Sequence, residues 1–220
     1  YDRVMYNAAA AAGGDMIITL MSCGVLVDAE GADHYTALMR AAMNGDLAAI
    51  DLLLELGADI NYISETQQTA LLCAGKHRQT AAVQALIERN ADVHQSTDSG
   101  STLLMIAATK KHRDVIQALV GAGVDINAQD NNGKSALVIA AAQNDADTIL
   151  TLLEAKADVA SAGIDPKAAV FTSMFVNAAS SGRADVVTKL IAAGASVDSV
   201  GTPLFMVATQ GNVDATKVLL

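Results

Sequence analysis

At 220 residues the chain has room for one or two ordinary domains. With 52% apolar residues, 17% charged and two prolines, it is not a disordered linker. Tryptophan is absent and only 3% of residues are aromatic, which suits thin layers of closely spaced helices rather than a deep core or a ring-lined cofactor pocket. A net charge of −10 with 14 Lys and Arg argues against a phosphate-neutralising nucleic-acid surface and against attraction to anionic membranes. No run of about 18 apolar residues is long enough to cross a bilayer, and no secretory leader is visible. Cys23 and Cys73 form no CxxC pair, which predicts reduced thiols in the cytoplasm or nucleus. The start at Tyr1 and the uncapped apolar end Val218-Leu219-Leu220 predict a fragment of a longer protein.

In chain order, the sequence resolves into seven similar units. The first opens on Arg3-Val4-Met5-Tyr6, carries Ala8-Ala9 and the break Gly13-Gly14, and has a second apolar run, Ile17/Leu20/Met21, ending at Gly24. The second starts 33 residues on, at Thr36-Ala37-Leu38-Met39, followed by Ala41-Ala42, the turn Asn44-Gly45, Ile50/Leu53/Leu54 and Gly57. Further steps of 33 give Thr69-Ala70-Leu71-Leu72, Thr102-Leu103-Leu104-Met105 and Ser135-Ala136-Leu137-Val138. Their second runs are Val83/Leu86/Ile87, Ile116/Leu119/Val120 and Ile149/Leu152/Leu153. Two more copies start at Ser173 and Thr202, after steps of 38 and 29. The sixth has a second run at Val187/Leu190/Ile191. Spacing of i, i+3, i+4 is one face of a helix.

Each unit therefore predicts a helix, opened in most units by a capping Ser or Thr, then a turn, a second helix and a loop. Gly24, Gly57, Gly123 and Gly194 suit the left-handed residue that ends a helix, Asn90 suits it too, and Lys156 fits it less well. Paired small residues let neighbouring helices approach. No unit buries its apolar face alone, so stability becomes a sum of neighbour interfaces. The predicted repeats run 1–28, 29–61, 62–94, 95–127, 128–160, 161–198 and 199–220 in one domain. The 38-residue step predicts an enlarged loop from about Ser161 to Thr172, and the 29-residue step a loop cut to Ser199-Val200-Gly201.

Asp130-Asn131-Asn132-Gly133-Lys134-Ser135-Ala136-Leu137 and Leu53-Leu54-Glu55-Leu56-Gly57-Ala58-Asp59-Ile60-Asn61 resemble the turn and the ending of the ankyrin repeat. Seven copies in phase extend that resemblance along essentially the whole chain. It implies an all-α fold: an ankyrin-repeat solenoid of stacked helix-turn-helix units with projecting loop or hairpin fingers. Two departures stand out. Proline occurs in the helix-start motif only at Pro203. The family's histidine is replaced by Tyr6, Met39, Leu72, Met105, Val138, Val176 and Phe205, where apolar packing is expected instead. Asn61 and Asn127 match the family position modified by asparaginyl hydroxylases.

Nothing in the sequence assembles a catalytic site: there is no Walker loop, GxSxG elbow or HExxH. His34, His77, His94 and His112 fall at four different repeat phases and read as surface residues, with no zinc ligand set. Asp59, Asp92, Asp125 and Asp158 share one phase and read as turn-forming residues that bond their own backbone. The expectation is a non-enzymatic scaffold or adaptor without cofactor or metal. A recognition or regulatory segment of a larger enzyme, secreted effector or channel is the alternative.

The resemblance implies that a partner protein or peptide sits on a concave face of finger tips and first helices. By phase that face holds Tyr35, Met43, Asn44, Glu65, Gln68, Lys76, His77, Ser101, Thr109, Lys110, Lys134 and Gln143. Tyr35 and Met43 are the candidate apolar anchors. Lys76-His77-Arg78 and Lys110-Lys111-His112-Arg113 overlap in phase against an acidic background. They predict a central basic patch for an acidic peptide, carboxylate cluster or phosphate.

Overall fold

A threonine or serine in extended conformation starts four successive first helices, and each does so through the same bond. The side-chain oxygens of Thr36, Thr69, Thr102 and Ser135 accept the backbone N–H groups of Met39, Leu72, Met105 and Val138, at 3.2–3.4 Å. Each cap stabilises its helix by about 1 kcal/mol. The structure, a computed structural model, describes residue 18 and residues 24–159, 169–192 and 213–219. The helices are α1 (Ala37–Asn44), α2 (Leu47–Glu55), α3 (Ala70–Lys76), α4 (Thr80–Glu88), α5 (Leu103–Lys110), α6 (Arg113–Gly121), α7 (Ala136–Ala142), α8 (Ala146–Glu154), α9 (Ala169–Ser180), α10 (Ala184–Ala192) and α11 (Val213–Leu219).

The chain divides into two compact units, residues 1–98 with 121–124, and residues 99–120 with 125–220. In the first, α1 packs on α2 and α3, and α4 on α2 and α3. In the second, α7 packs on α5, α8 and α9, while α10 packs on α8, α9 and α11. The paired small residues are enclosed: Ala41, Ala42, Ala74, Ala107, Ala108, Ala140 and Ala179 are at most 1% exposed, so the helices meet almost backbone to backbone. Met39, Leu72, Met105 and Val138, which stand where the family has histidine, are buried apolar residues as expected; Val176 is half-buried.

In α2, α4, α6 and α10 the buried stripe is shifted by one residue from the expected pattern, whereas in α8 Ile149, Leu152 and Leu153 are all buried as expected. Positions i and i+3 are buried (Ile50 and Leu53, Val83 and Leu86, Ile116 and Leu119), but Leu54, Ile87 and Val120 are only half-buried. In those helices the residue before position i is buried, namely Ala49, Ala82, Val115 and Val186, and in α8 Thr148 is buried as well. Thr148 is admitted because its hydroxyl donates to Asp145 Oδ2 at 2.6 Å, within the cap of α8.

Every described residue with positive φ falls in one of three registers that repeat through the chain. The finger register holds His34, Gln67, Gly100 and Gly133; the turn between helices holds Gly45, Arg78, Lys111, Asn144 and Gly182; the end of the second helix holds Gly24, Gly57, Asn90, Gly123 and Lys156. Gly24, Gly57, Gly123 and Asn90 are therefore left-handed as expected, and Lys156 adopts the same conformation despite its Cβ. The fingers are short hairpin loops. Backbone bonds from Gly31 to Tyr35, Ser64 to Gln68 and Asp130 to Lys134 close them, with the left-handed residue just before the closing one.

The sixth repeat corrects the sequence reading. Ser173 does not begin its first helix; α9 already starts at Ala169 and runs 12 residues, against 7 or 8 for the other first helices. No glycine or proline interrupts Lys167–Ser173, so the extra residues extend the helix by a turn rather than all joining the loop. Residues 169–172 of the expected 161–172 loop are therefore helical, and 160–168 lie outside the described residues. Features expected in residues 1–17, 19–23 and 193–212 lie outside the described residues.

A left-handed backbone costs an ordinary L-residue about 1–2 kcal/mol that glycine avoids, less the greater freedom glycine has when unfolded. Replacing Lys156 by Gly should therefore raise stability by up to about 1 kcal/mol. Urea denaturation checks this, and a lower midpoint would show that the lysine side chain holds the turn.

Candidate interaction surface

Finger and first helix are joined side chain to side chain within single repeats. In the first unit Arg40, on α1, donates to Asp33 of its own finger at 2.6 Å, and its guanidinium lies 5.8 Å from the centre of the Tyr35 ring. In the next repeat Lys76 Nζ donates to Gln68 Oε1, and Gln68 Nε2 donates to the Thr66 carbonyl at 2.8 Å. Tyr35, Met43, Gln68 and Lys76 are half-buried, whereas Asn44, Glu65, His77 and Arg78 are exposed. Glu65 pairs with His34 at 2.9 Å, and His77 Nδ1 lies 2.9 Å from the Cys73 carbonyl oxygen.

In the second unit, Thr109, Lys110, Lys111 and Lys134 are exposed, and Ser101 and Gln143 are half-buried. The Ser101 hydroxyl meets that of Ser99 at 3.1 Å. Lys134 N–H donates to Asp130 Oδ1 at 2.9 Å, and Asn132 N–H to the same oxygen at 2.8 Å. Those bonds, with the Lys134 one largest, hold the Asp130 carboxyl below the usual carboxylate range.

Several residues expected to read a partner also hold the frame. Gln143 Nε2 donates to the Thr109 carbonyl of the preceding repeat at 3.0 Å. Gln79, which the sequence reading passed over, does the same to the Met43 carbonyl at 3.1 Å. Lys76 is tethered to its finger, so its charge is presented in a fixed place. The basic run divides between the units, with Lys76, His77 and Arg78 in the first and Lys110 and Lys111 in the second. Arg40 was not legible as a surface residue because it lies in mid-helix and reaches the finger only through a long side chain.

The aspartates in phase behave as turn residues. Asp59, Asp92 and Asp125 each accept, through Oδ1, the N–H two residues on, at 2.9 Å. One repeat is also tied to the next: Asp28 accepts from Asp59 N–H at 3.2 Å, Asn61 from Asp92 N–H at 2.8 Å and Asn127 from Asp158 N–H at 2.8 Å. On the second helices Arg89 pairs with Asp51, and Asp147 lies between Arg113 and Arg183 at 3.0 Å from each. A bond from Arg183 holds Asp185 below the usual carboxylate range. Such exposed pairs add little individually.

These features define a helical-repeat protein whose finger loops are tied to its first helices. The family profile for ankyrin repeats in three copies matches residues 5–97 and 83–162, and the chain belongs to the ankyrin-repeat family. Within each unit the stacking of helix pairs is that of an ankyrin-repeat solenoid. Ankyrin repeats are generally protein–protein interaction modules and typically non-catalytic. No curated protein matches the chain. No described helix is long and apolar enough to cross a membrane.

Cys73 is 1% exposed, and burial pushes its thiol up to about 12, against the smaller pull of Lys76 and Arg40. A thiolate-specific reagent at pH 8 should leave Cys73 unmodified in the native Cys23→Ser variant and label it fully in denaturant. Labelling at the free-thiol rate without denaturant would show that the first unit opens readily.

Proposed function

We propose that this chain is a non-enzymatic adaptor that holds a segment of a partner protein against its finger loops and first-helix ends. The observation that carries the reading is the coupling of finger to helix in the first unit. Arg40 with Asp33 and Tyr35, and Lys76 with Gln68, make each loop and helix end one preorganised surface rather than a loose loop. Preordered side chains lose less freedom on binding. The frame beneath is the same in each repeat while the exposed residues differ: Asn44 and His77 occupy the same phase, as do Glu65 and Asp98. Uniform support with variable tips is what selective recognition requires.

Tyr35 and Met43 supply apolar contact, since half-buried side chains of this kind bury further area without reorganising. Lys76, Arg78, Lys110 and Lys111 favour acidic groups on the partner through charge complementarity. Cytoplasm or nucleus suits such an adaptor, given its two cysteines and lack of any CxxC pair.

Exchanging Lys76, Arg78, Lys110 and Lys111 together for Glu should weaken affinity capture of the partner by at least about tenfold, since several complementary charges become repulsive. The helical circular dichroism should be unchanged. Equal capture by the variant and the natural chain would remove the basic residues from the interface.

A further inference from the structure

We infer that the first two described fingers form a binding site for a divalent first-row transition-metal ion, built from Glu30, His34 and Glu65. The ligand atoms come from turns of adjacent repeats in the first unit, and all lie within 4.8 Å of one another. His34 Nδ1 is 3.4 Å from Glu30 Oε2 and 2.9 Å from Glu65 Oε2. Metal–nitrogen and metal–oxygen bonds of about 2.0–2.2 Å in a tetrahedron place ligand atoms about 3.3–3.6 Å apart, so small side-chain shifts would suffice.

The site is more than a crowd of acidic groups. Glu30 is held by its other oxygen: Oε1 accepts from the Tyr62 hydroxyl at 3.2 Å and from the Glu65 N–H at 3.1 Å. Outer bonds of this kind orient a metal-ligating carboxylate. Glu30 Oε2 is enclosed and makes no hydrogen bond, although it faces His34 at 3.4 Å. A buried carboxylate oxygen without a hydrogen bond is costly, and a bound cation would satisfy it. Glu65 is 75% and His34 47% exposed, which leaves room for water in the remaining coordination positions. One imidazole with two carboxylates is a mixed nitrogen and oxygen donor set, suited to zinc and its neighbours rather than to calcium.

His34 shares with Gln67 a left-handed position that is glycine in the other two described fingers. The equivalent finger residues Gly100 and Gly133 are glycines with φ of 74° and 73°, and His34 is held at φ 60°. The backbone there favours glycine, and this repeat has a metal-binding side chain instead. The expectation that the four histidines carry no metal rested on their scattered phases. It missed a site whose ligands come from one histidine and two carboxylates 35 residues apart.

The glycine register also supplies the test. Zinc should be titrated calorimetrically into the full chain, stripped of metal, at pH 7.5 in a non-coordinating buffer. The natural chain should bind zinc, and its melting temperature should rise with zinc concentration. His34→Gly, which places at this site the residue found at positions 100 and 133, should fold and melt no lower without metal. It should lose one equivalent of zinc or bind it at least about tenfold more weakly. Glu65→Gln, at an exposed position, should behave the same way, and His94→Gln should leave the site intact. No zinc binding by the natural chain would overturn the inference. So would unchanged stoichiometry and affinity in both His34→Gly and Glu65→Gln.

Discussion

Everything in this fold depends on how closely neighbouring first helices approach, and two small residues per repeat set that distance. Ala41 and Ala42, Ala74 and Gly75, and Ala107 and Ala108 are buried where larger side chains would push the layers apart. Interiors are packed to crystal-like density, so a layer that must fit between two others tolerates little added volume. This explains how a chain with 3% aromatic residues holds a core. The layers are thin, and Leu, Ile and Val supply the large buried side chains of the second helices.

Close stacking brings backbone groups of adjacent repeats within reach of short side chains. Asp28, Asn61 and Asn127 accept N–H groups 31 residues further on, and Gln79 and Gln143 reach back to carbonyls of the preceding repeat. Each bond contributes about 1 kcal/mol at most where solvent competes. Their value is register, because they fix where each finger stands over its neighbour. The finger tips can then vary without loosening the frame, which is the property the proposed adaptor and the proposed metal site both use.

Much of this was legible in the chain itself. The 33-residue step located the caps at Thr36, Thr69, Thr102 and Ser135, the small pairs and the glycine stops, because backbone conformation at those points depends on one residue each. Other features were hidden for physical reasons. The start of α9 was misplaced because alignment to Ser173 assumed a cap, whereas residues 169–172 have no feature that stops a helix. The buried stripe of the second helices was misjudged at Ala49, Ala82 and Thr148, where small or polar side chains carry weak hydropathy signals. The finger contacts of Arg40 and Lys76, and the meeting of Glu30, His34 and Glu65, depend on long side chains crossing between loops. Periodicity carries no trace of such contacts.

The central claim is that enclosure at the small pair, rather than helix propensity or surface charge, governs stability. The direct measurement compares urea denaturation of Ala41→Leu and Asn44→Leu. Both substitutions lie on α1, one at a fully enclosed position and one at an exposed one. Overpacking should cost Ala41→Leu about 2 kcal/mol or more, while Asn44→Leu should stay within about 0.5 kcal/mol of the natural chain. Equal stability of the two variants would contradict the account.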